Sequence, residues 1–326
     1  MAKLLRSKIL RFALVLTTLA AIGCGTPNRY NFNTAQATYN GLGTQFDYNV
    51  KLDLLFIIDT TSSMGYGQQN LSLQFATFID YLQTNLYDFR IGVTTMDMGA
   101  GGAQGAFVGS PKIITATTSN LHQTFVNRMA QGTSSANPTQ GLDALEKAIS
   151  TPMLQSANFG WWRNDAMLAI IFLSDKNDMS VNLPQYYIDL LDSKKPFFTG
   201  GSRGWVATSI VANDLSQCSG DASAELGSNF MTVSSMSKGI VTSICAPDLV
   251  QGTNLIKNRV MEQLTQIHLF DAPEAGTIIV HNTADEVFTD PNNGWTYDPS
   301  GFTIFFHGAS VPAAGSIVQI DYKPKK

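Results

Sequence analysis

Two apolar runs of strand length, residues 52–58 (LDLLFII) and 167–173 (MLAIIFL), constrain this chain more than any other feature of it. Runs this short and this apolar suit strands buried on both faces of a parallel sheet. Between them, Leu71, Phe75, Phe78, Ile79, Leu82 and Leu86 recur at spacings of three and four, which is one face of a helix over 67–86. Residues 89–95 (FRIGVTT) read as the next strand and 99–109 (GAGGAQGAFVG) as a flexible loop. Leu142, Leu145, Ala148 and Ile149 mark a second helix face. Weaker strands are expected at 205–211 and 239–244, with a helical stretch around Phe230, Val233 and Met236 between them. A last amphipathic helix carries Leu255, Ile256, Val260, Leu264 and Ile267. Strands alternating with helices predict right-handed crossovers, hence an α/β fold with a doubly wound, mostly parallel sheet over 51–270. At Asp271-Ala272-Pro273 the pattern changes to short alternating runs (TIIVHN, GWTYD, FTIFFHG, SIVQIDY), which predict a small C-terminal all-β domain over 271–326. A chain of 326 residues has room for one large domain and one small one.

The first residues read as an address. Lys3, Arg6, Lys8 and Arg11 precede an uncharged apolar segment, 12–23, that meets Cys24. This is the pattern of a signal peptide over 1–23, its apolar part too short to span a bilayer. Ala21-Ile22-Gly23-Cys24 resembles the bacterial lipobox, although it lacks the usual Leu at the first position. The resemblance implies lipid on Cys24, and Gly25 rather than Asp points to the outer membrane. Residues 24–50 show no apolar periodicity and read as a tether to the fold. With Cys24 assigned, Cys218 and Cys245 remain as an even pair in an exported protein, so a disulfide between them is expected. The formal net charge is −4, and the leader holds four basic residues and no acid, so the mature chain is more acidic still. No basic patch with interleaved aromatics is present, and nucleic acid is excluded as a partner.

The first strand is followed by Asp59-Thr60-Thr61-Ser62-Ser63-Met64-Gly65. An Asp-x-Thr-x-Ser spacing on a turn leaving a strand points one carboxylate and two hydroxyls the same way, a donor set for a hard cation. It falls at the C-terminal end of a central strand, where open α/β sheets place ligands, and Asp175 stands at the matching end of the other strong strand. These residues resemble the von Willebrand factor A (VWA, integrin I-like) domain and its metal-ion-dependent adhesion site. The resemblance covers roughly 50–270 and implies Asp59, Thr61 and Ser63 as ligands, with Asp175 acting through water. It also implies a hydroxyl from a second loop, where Asn137-Pro138-Thr139-Gln140-Gly141-Leu142-Asp143-Ala144 points to Thr139 and Gly132-Thr133-Ser134 offers Thr133 instead. The chain is also similar to VWA-containing lipoproteins of delta-type proteobacteria, in the 174–180 loop (SDKNDMS), the cysteine pair and the Trp295-x-Tyr297-Asp298 of the tail. What the resemblance implies is Mg²⁺ (Ca²⁺ or Mn²⁺ as alternatives) with one coordination position open to an acidic residue of a partner.

Other readings of the same residues stand beside this one. Asp59 and Thr61 could cap the helix that follows. Asp97 and Asp178 lie near the same sheet edge and read as solvated loop acids, with supporting groups of the site as the alternative, and the four histidines show no metal-ligand spacing. Trp161-Trp162 reads as a packed pair, and the 99–109 loop lacks phosphate-binding spacing. The expected function is therefore non-enzymatic: a lipid-anchored extracytoplasmic module that binds a protein or surface polymer through its metal. A structural envelope-assembly subunit with a purely structural metal is the alternative. A metal-dependent hydrolase lacks a general base.

Overall fold

The computed structural model describes residues 38–39, 44–48, 51–195, 203–282, 285–313 and 316–325. The expected leader 1–23 and Cys24 lie outside the described residues. Two short strands come first, β1 (Thr38–Tyr39) and β2 (Thr44–Tyr48). The main sheet is built from β3 (Lys51–Ile58), β4 (Asp88–Thr95), β5 (Ile114–Thr115), β6 (Met167–Ser174), β7 (Trp205–Val211) and β8 (Val241–Ser243). Their order is β5-β4-β3-β6-β7-β8, and every pair is parallel except β4 with the edge strand β5. The helices are α1 (Gly65–Thr84), α2 (Leu121–Met129), α3 (Gly141–Ala148), α4 (Thr151–Leu154), α5 (Pro184–Lys194), α6 (Ser228–Met236) and α7 (Leu249–Thr265).

Both apolar runs are the two central strands, and the reason for their continuous hydrophobicity is visible in β3. Leu52, Leu54, Phe56 and Ile58 belong to one core with residues of α1, α2 and α7, whereas Leu55 and Ile57 belong to a second core with α3, α5 and α6. Successive side chains face opposite sides of a strand, so a sheet covered by helices on both faces needs apolar residues at every position. Phe56 sits edge-on to Phe75 of α1 and Phe125 of α2, with ring centroids 5.1 and 5.3 Å away.

The exception in that run is Asp53, fully buried near the start of β3. Its carboxylate accepts hydrogen bonds from Arg163 Nε (2.8 Å) and the Arg163 backbone N–H (2.9 Å), and Lys195 Nζ lies 3.9 Å away. Lys195 is itself fully buried and donates to the carbonyls of Arg163 and Ala166. Burial raises the pKa of Asp53 against the pull of Arg163 and Lys195, and lowers that of Lys195 to about 8 against the pull of Asp53.

The C-terminal part is antiparallel, as its alternating pattern predicts. Its strands are β9 (Ile267–His268), β10 (Ile279–Asn282), β11 (Asp285–Val287), β12 (Trp295–Asp298), β13 (Thr303–Phe306) and β14 (Ser316–Asp321). They form two sheets, β12-β13-β9 and β1-β2-β14-β10-β11. The second corrects the tether reading at 38–39 and 44–48: β1 pairs with β2, and β2 runs antiparallel to β14 from Thr44 opposite Ile320 to Tyr48 opposite Ser316. The segment TQFDY has too few apolar residues to show a period, and backbone pairing with a distant strand is invisible to a local pattern. Cys218 and Cys245 are joined by a disulfide, with Cα atoms 5.1 Å apart.

Candidate metal centre

At Ile58 the chain leaves β3 over the C-terminal edge of the sheet, beside the end of β6. The Asp59 N–H still bonds Leu173 O (2.9 Å), so the strand ladder itself fixes where Asp59 begins its turn. Asp59 is buried. Its Oδ1 accepts from Thr61 N–H (2.7 Å) and its Oδ2 from Ser174 Oγ (2.6 Å), and each oxygen keeps a further lone pair. Gln68, one turn into α1 and also buried, donates to Asp59 O (2.8 Å) and Gly132 O (2.9 Å) and accepts from Gln131 N–H (3.0 Å). It staples the first loop to the second.

Three oxygens at this edge are buried without a hydrogen-bond partner: Thr61 Oγ1, Ser63 Oγ and Asp175 Oδ1. The capping alternative fails for Thr61, while Asp59 holds only the Thr61 N–H at the start of the turn. Neither Thr61 nor Met64, the residues that precede the 3₁₀ turn and α1, makes a side-chain cap hydrogen bond. Orphaned buried acceptors cost roughly 1–3 kcal/mol each, and native proteins avoid them unless something else satisfies them. Burial raises the Asp175 pKa to about 6; Ser63 and Lys176 act against this, and the nearby Asp221 and Asp59 add to it. Among the described residues no group of three or more His, Cys, Asp or Glu side chains is placed to hold a metal. Any cation at this edge is therefore held partly by hydroxyls. The oxygen-only set, with its orphaned atoms, fits a hard divalent ion.

Thr139 is buried at the mouth of α3. It bridges to Asp97 at the end of β4, and its carbonyl accepts from Met179 N–H (2.7 Å) in the loop that follows Asp175. Thr133 is half-buried, its methyl 3.6 Å from where a Cβ on Gly65 would stand, and Ser135 N–H bonds Thr60 O (3.0 Å). Thr133 thus borders the first loop, whereas Thr139 borders the end of β4 and the loop after Asp175.

Of the two readings of Asp97 and Asp178, the structure favours the supporting one over the solvated one. Asp97 accepts from Ser135 Oγ (2.9 Å), Asn137 Nδ2 (2.7 Å) and Gly99 N–H (2.9 Å), which holds the second loop against the end of β4. Asp178 is buried, accepts from the Leu142 N–H at the start of α3 (3.1 Å) and from Ser180, and burial raises its pKa to about 6 against those bonds. Trp161 is packed as expected, with Nε1 on Arg90 O (3.1 Å). His122 pairs with Asp80, and His268 and His307 bond Thr303 and Thr296, which are structural roles. Sequence reasoning missed Gln68, Ser174 and Asp221. Of these only Ser174 carried a signal, since it directly precedes Asp175 in the strand end.

No protein-family model matches the chain, and no curated protein does. Solved structures do. Proximal thread matrix protein 1 from the mussel byssus, with a zinc-occupied MIDAS motif, is similar at 13% identity and a TM-score of 0.41. That match covers 69% of this chain and 50% of that one, so the chain spans about half the length of the mussel protein. BatB from Bacteroides thetaiotaomicron matches at 11% identity and TM-score 0.39, over 66% of this chain and 98% of its own. The pilus adhesin SpaC from Lactobacillus rhamnosus GG matches at 10% identity and TM-score 0.43, over 84% of this chain and 38% of its own.

Proposed function

We propose that the chain is a VWA-type binding module that captures a protein or surface polymer through a divalent cation, Mg²⁺ in the first instance, held by Asp59, Thr61, Ser63 and Thr139 with Asp175 behind a water. The observation that carries this reading is the trio of orphaned buried oxygens, Thr61 Oγ1, Ser63 Oγ and Asp175 Oδ1, on two loops at one sheet edge. A cation bound there offers an open coordination position to a carboxylate oxygen from another chain. This chain's residues do the rest: Ser174 and the Thr61 amide orient the Asp59 carboxylate, and Gln68 and Asp97 hold the second loop in register. The module is exported and held to the outer membrane by lipid on Cys24, on the strength of the leader pattern alone. In this reading the module acts by binding and not by catalysis.

The test is calorimetry with MgCl₂ on the wild type and Asp59→Ala, beside a pulldown from the native envelope with and without EDTA. Metal binding in the wild type only, and partner capture lost in EDTA, are expected. Equal metal affinity in both proteins removes the site. Equal capture in EDTA leaves the site and removes its adhesive role. Processing of a Cys24→Ser precursor by the lipoprotein peptidase would remove the anchor.

A further inference from the structure

The loop between Asp175 and α5 carries an apolar ridge that holding a cation does not require. Met179, Val181 and Leu183 are 62%, 84% and 79% exposed, and no other five-residue stretch among the described residues holds three exposed large apolar side chains. Single exposed hydrophobes are ordinary on a protein surface, whereas a contiguous group of them marks an interaction site. Tyr186, in the first turn of α5, extends the group: it is exposed, and its N–H bonds Leu183 O (3.0 Å).

The backbone beneath these side chains is engaged from inside. The Met179 N–H bonds Thr139 O (2.7 Å), the Ser180 N–H the Asp178 carboxylate (3.2 Å), the Val181 N–H the Asp143 carboxylate (3.1 Å) and the Asn182 N–H Tyr187 Oη (3.3 Å). Ser180 turns its hydroxyl inward, donating to Asp178 (2.9 Å) and accepting from the Asp143 N–H (2.8 Å). With four successive N–H groups spent in this way, the loop has none left to pair with an added strand. What it presents is side chains, held out in water on a fixed backbone, and such preorganisation lowers the ordering cost of binding.

Continuity and charge say what covers the ridge. It grows out of the metal edge, rooted on the carbonyl of Thr139 and four residues beyond Asp175, so a partner that reaches a cation there meets the ridge beside it. Residues 177–193 hold Asp178, Asp189 and Asp192 and no Lys or Arg, on a chain whose formal net charge is −4. An anionic lipid surface is therefore repelled, and an acidic partner is not drawn in by long-range attraction. Beyond the one bond to the cation, its affinity has to come from apolar burial. We propose that residues 179–183, with Tyr186, form the second half of the binding surface and take a large aliphatic or aromatic side chain next to the acidic residue that binds the cation. This rests on the metal-dependent binding proposed above, and narrows its partner to a protein segment with an acid beside a hydrophobe.

The experiment is selection of phage-displayed random 12-mers on the immobilised wild type in MgCl₂, with elution by EDTA, repeated on the double variant Val181→Ser, Leu183→Ser and on Asp59→Ala. Both ridge side chains are exposed, so the double variant keeps its core, and an unchanged near-ultraviolet circular dichroism spectrum checks this. The wild type is expected to enrich an Asp or Glu with a large apolar neighbour, and the double variant to keep the acid and lose the neighbour. A peptide from the wild-type pool should bind the double variant about tenfold or more weakly. Equal apolar frequencies in the two pools overturn the ridge while leaving the metal reading intact. A wild type that floats with phosphatidylcholine vesicles, or dimerises in MgCl₂, where the double variant does neither, gives the ridge to a membrane or to a second copy and overturns the proposal. An EDTA-eluted wild-type pool without acid enrichment, or one matched by Asp59→Ala, overturns the metal reading and the ridge with it.

Discussion

Asp53 and Asp59 stand at opposite ends of one strand and are equally hidden from water, yet the fold treats them in opposite ways. At the lower end Arg163 and Lys195 surround Asp53, and the charge is answered from within the chain. At the upper end the Asp59 carboxylate accepts from a serine hydroxyl and a backbone amide, and Asp175 is close enough to repel it. Burying a carboxylate is costly unless it is paired and hydrogen-bonded. The lower end carries two cations of its own in direct reach of Asp53, whereas the upper end has Lys176 3.9 Å from Asp175, and it is there that we propose a further cation enters from solution.

The comparison can be broken at the lower end first. Arg163→Ala leaves Asp53 buried with Lys195 as its remaining cation, and a loss of about 3–5 kcal/mol in urea unfolding is expected. A loss below about 1 kcal/mol would mean that the cluster is not what holds that end together.

The pH dependence of Lys195 comes next. Its folded pKa is about 8, below the ordinary 10.5 of the unfolded chain. Between those values the unfolded chain holds a proton that the folded one has released, so this group's contribution to stability rises with pH across the window, by roughly 3 kcal/mol at most. Lys195→Met should remove that rise, seen as the wild-type-minus-variant difference in unfolding free energy from pH 7.5 to 10. A flat difference would show the lysine titrating normally.

At the upper end, Mg²⁺ at a hundred times its dissociation constant should stabilise the wild type by about 2.7 kcal/mol and leave Asp59→Ala unmoved. In EDTA the same variant should lose only about 1–2 kcal/mol, for the hydrogen bonds of Thr61 and Ser174. Thermal melts in the two buffers read both. The smallest effect is Thr61→Ala: metal binding weaker by about 1 kcal/mol, since water can replace a neutral hydroxyl, and stability in EDTA unchanged or slightly higher because an orphaned oxygen is gone. A marked loss in EDTA would mean that Thr61 has a structural role that its geometry does not show.

How much of this was legible in the sequence depended on how local the cause was. The central strands were plain at 52–58 and 167–173 because burial on both faces leaves a continuous apolar run. Asp59, Thr61 and Ser63 were plain because their spacing is itself the geometry of a turn. Asp53 was passed over inside a run read as apolar, because its partner Arg163 lies 110 positions away and nothing near either residue announces the pair. For Asp97 and Asp178 the less favoured of two readings proved right, because an acid among loop residues looks the same whether it faces water or accepts hydrogen bonds from other segments. Gln68 and Asp221 gave no signal, since each matters only through what the folded chain brings beside it.

The pairing of β2 with β14 has a mechanical consequence. A pull between the chain ahead of Thr44 and the metal edge runs through β2 and β3 in series. β3 lies lengthwise between β4 and β6, in register over eight and seven residue pairs, so it can slide only by shearing both ladders at once. β2 is held on the β14 side by five pairs in the smaller sheet, and its other neighbour, β1, is a two-residue strand. Tension would peel β2 from β14 first and pay out roughly 3.3 Å per residue of slack, while the metal edge, anchored to the unyielding strand, keeps its shape under load.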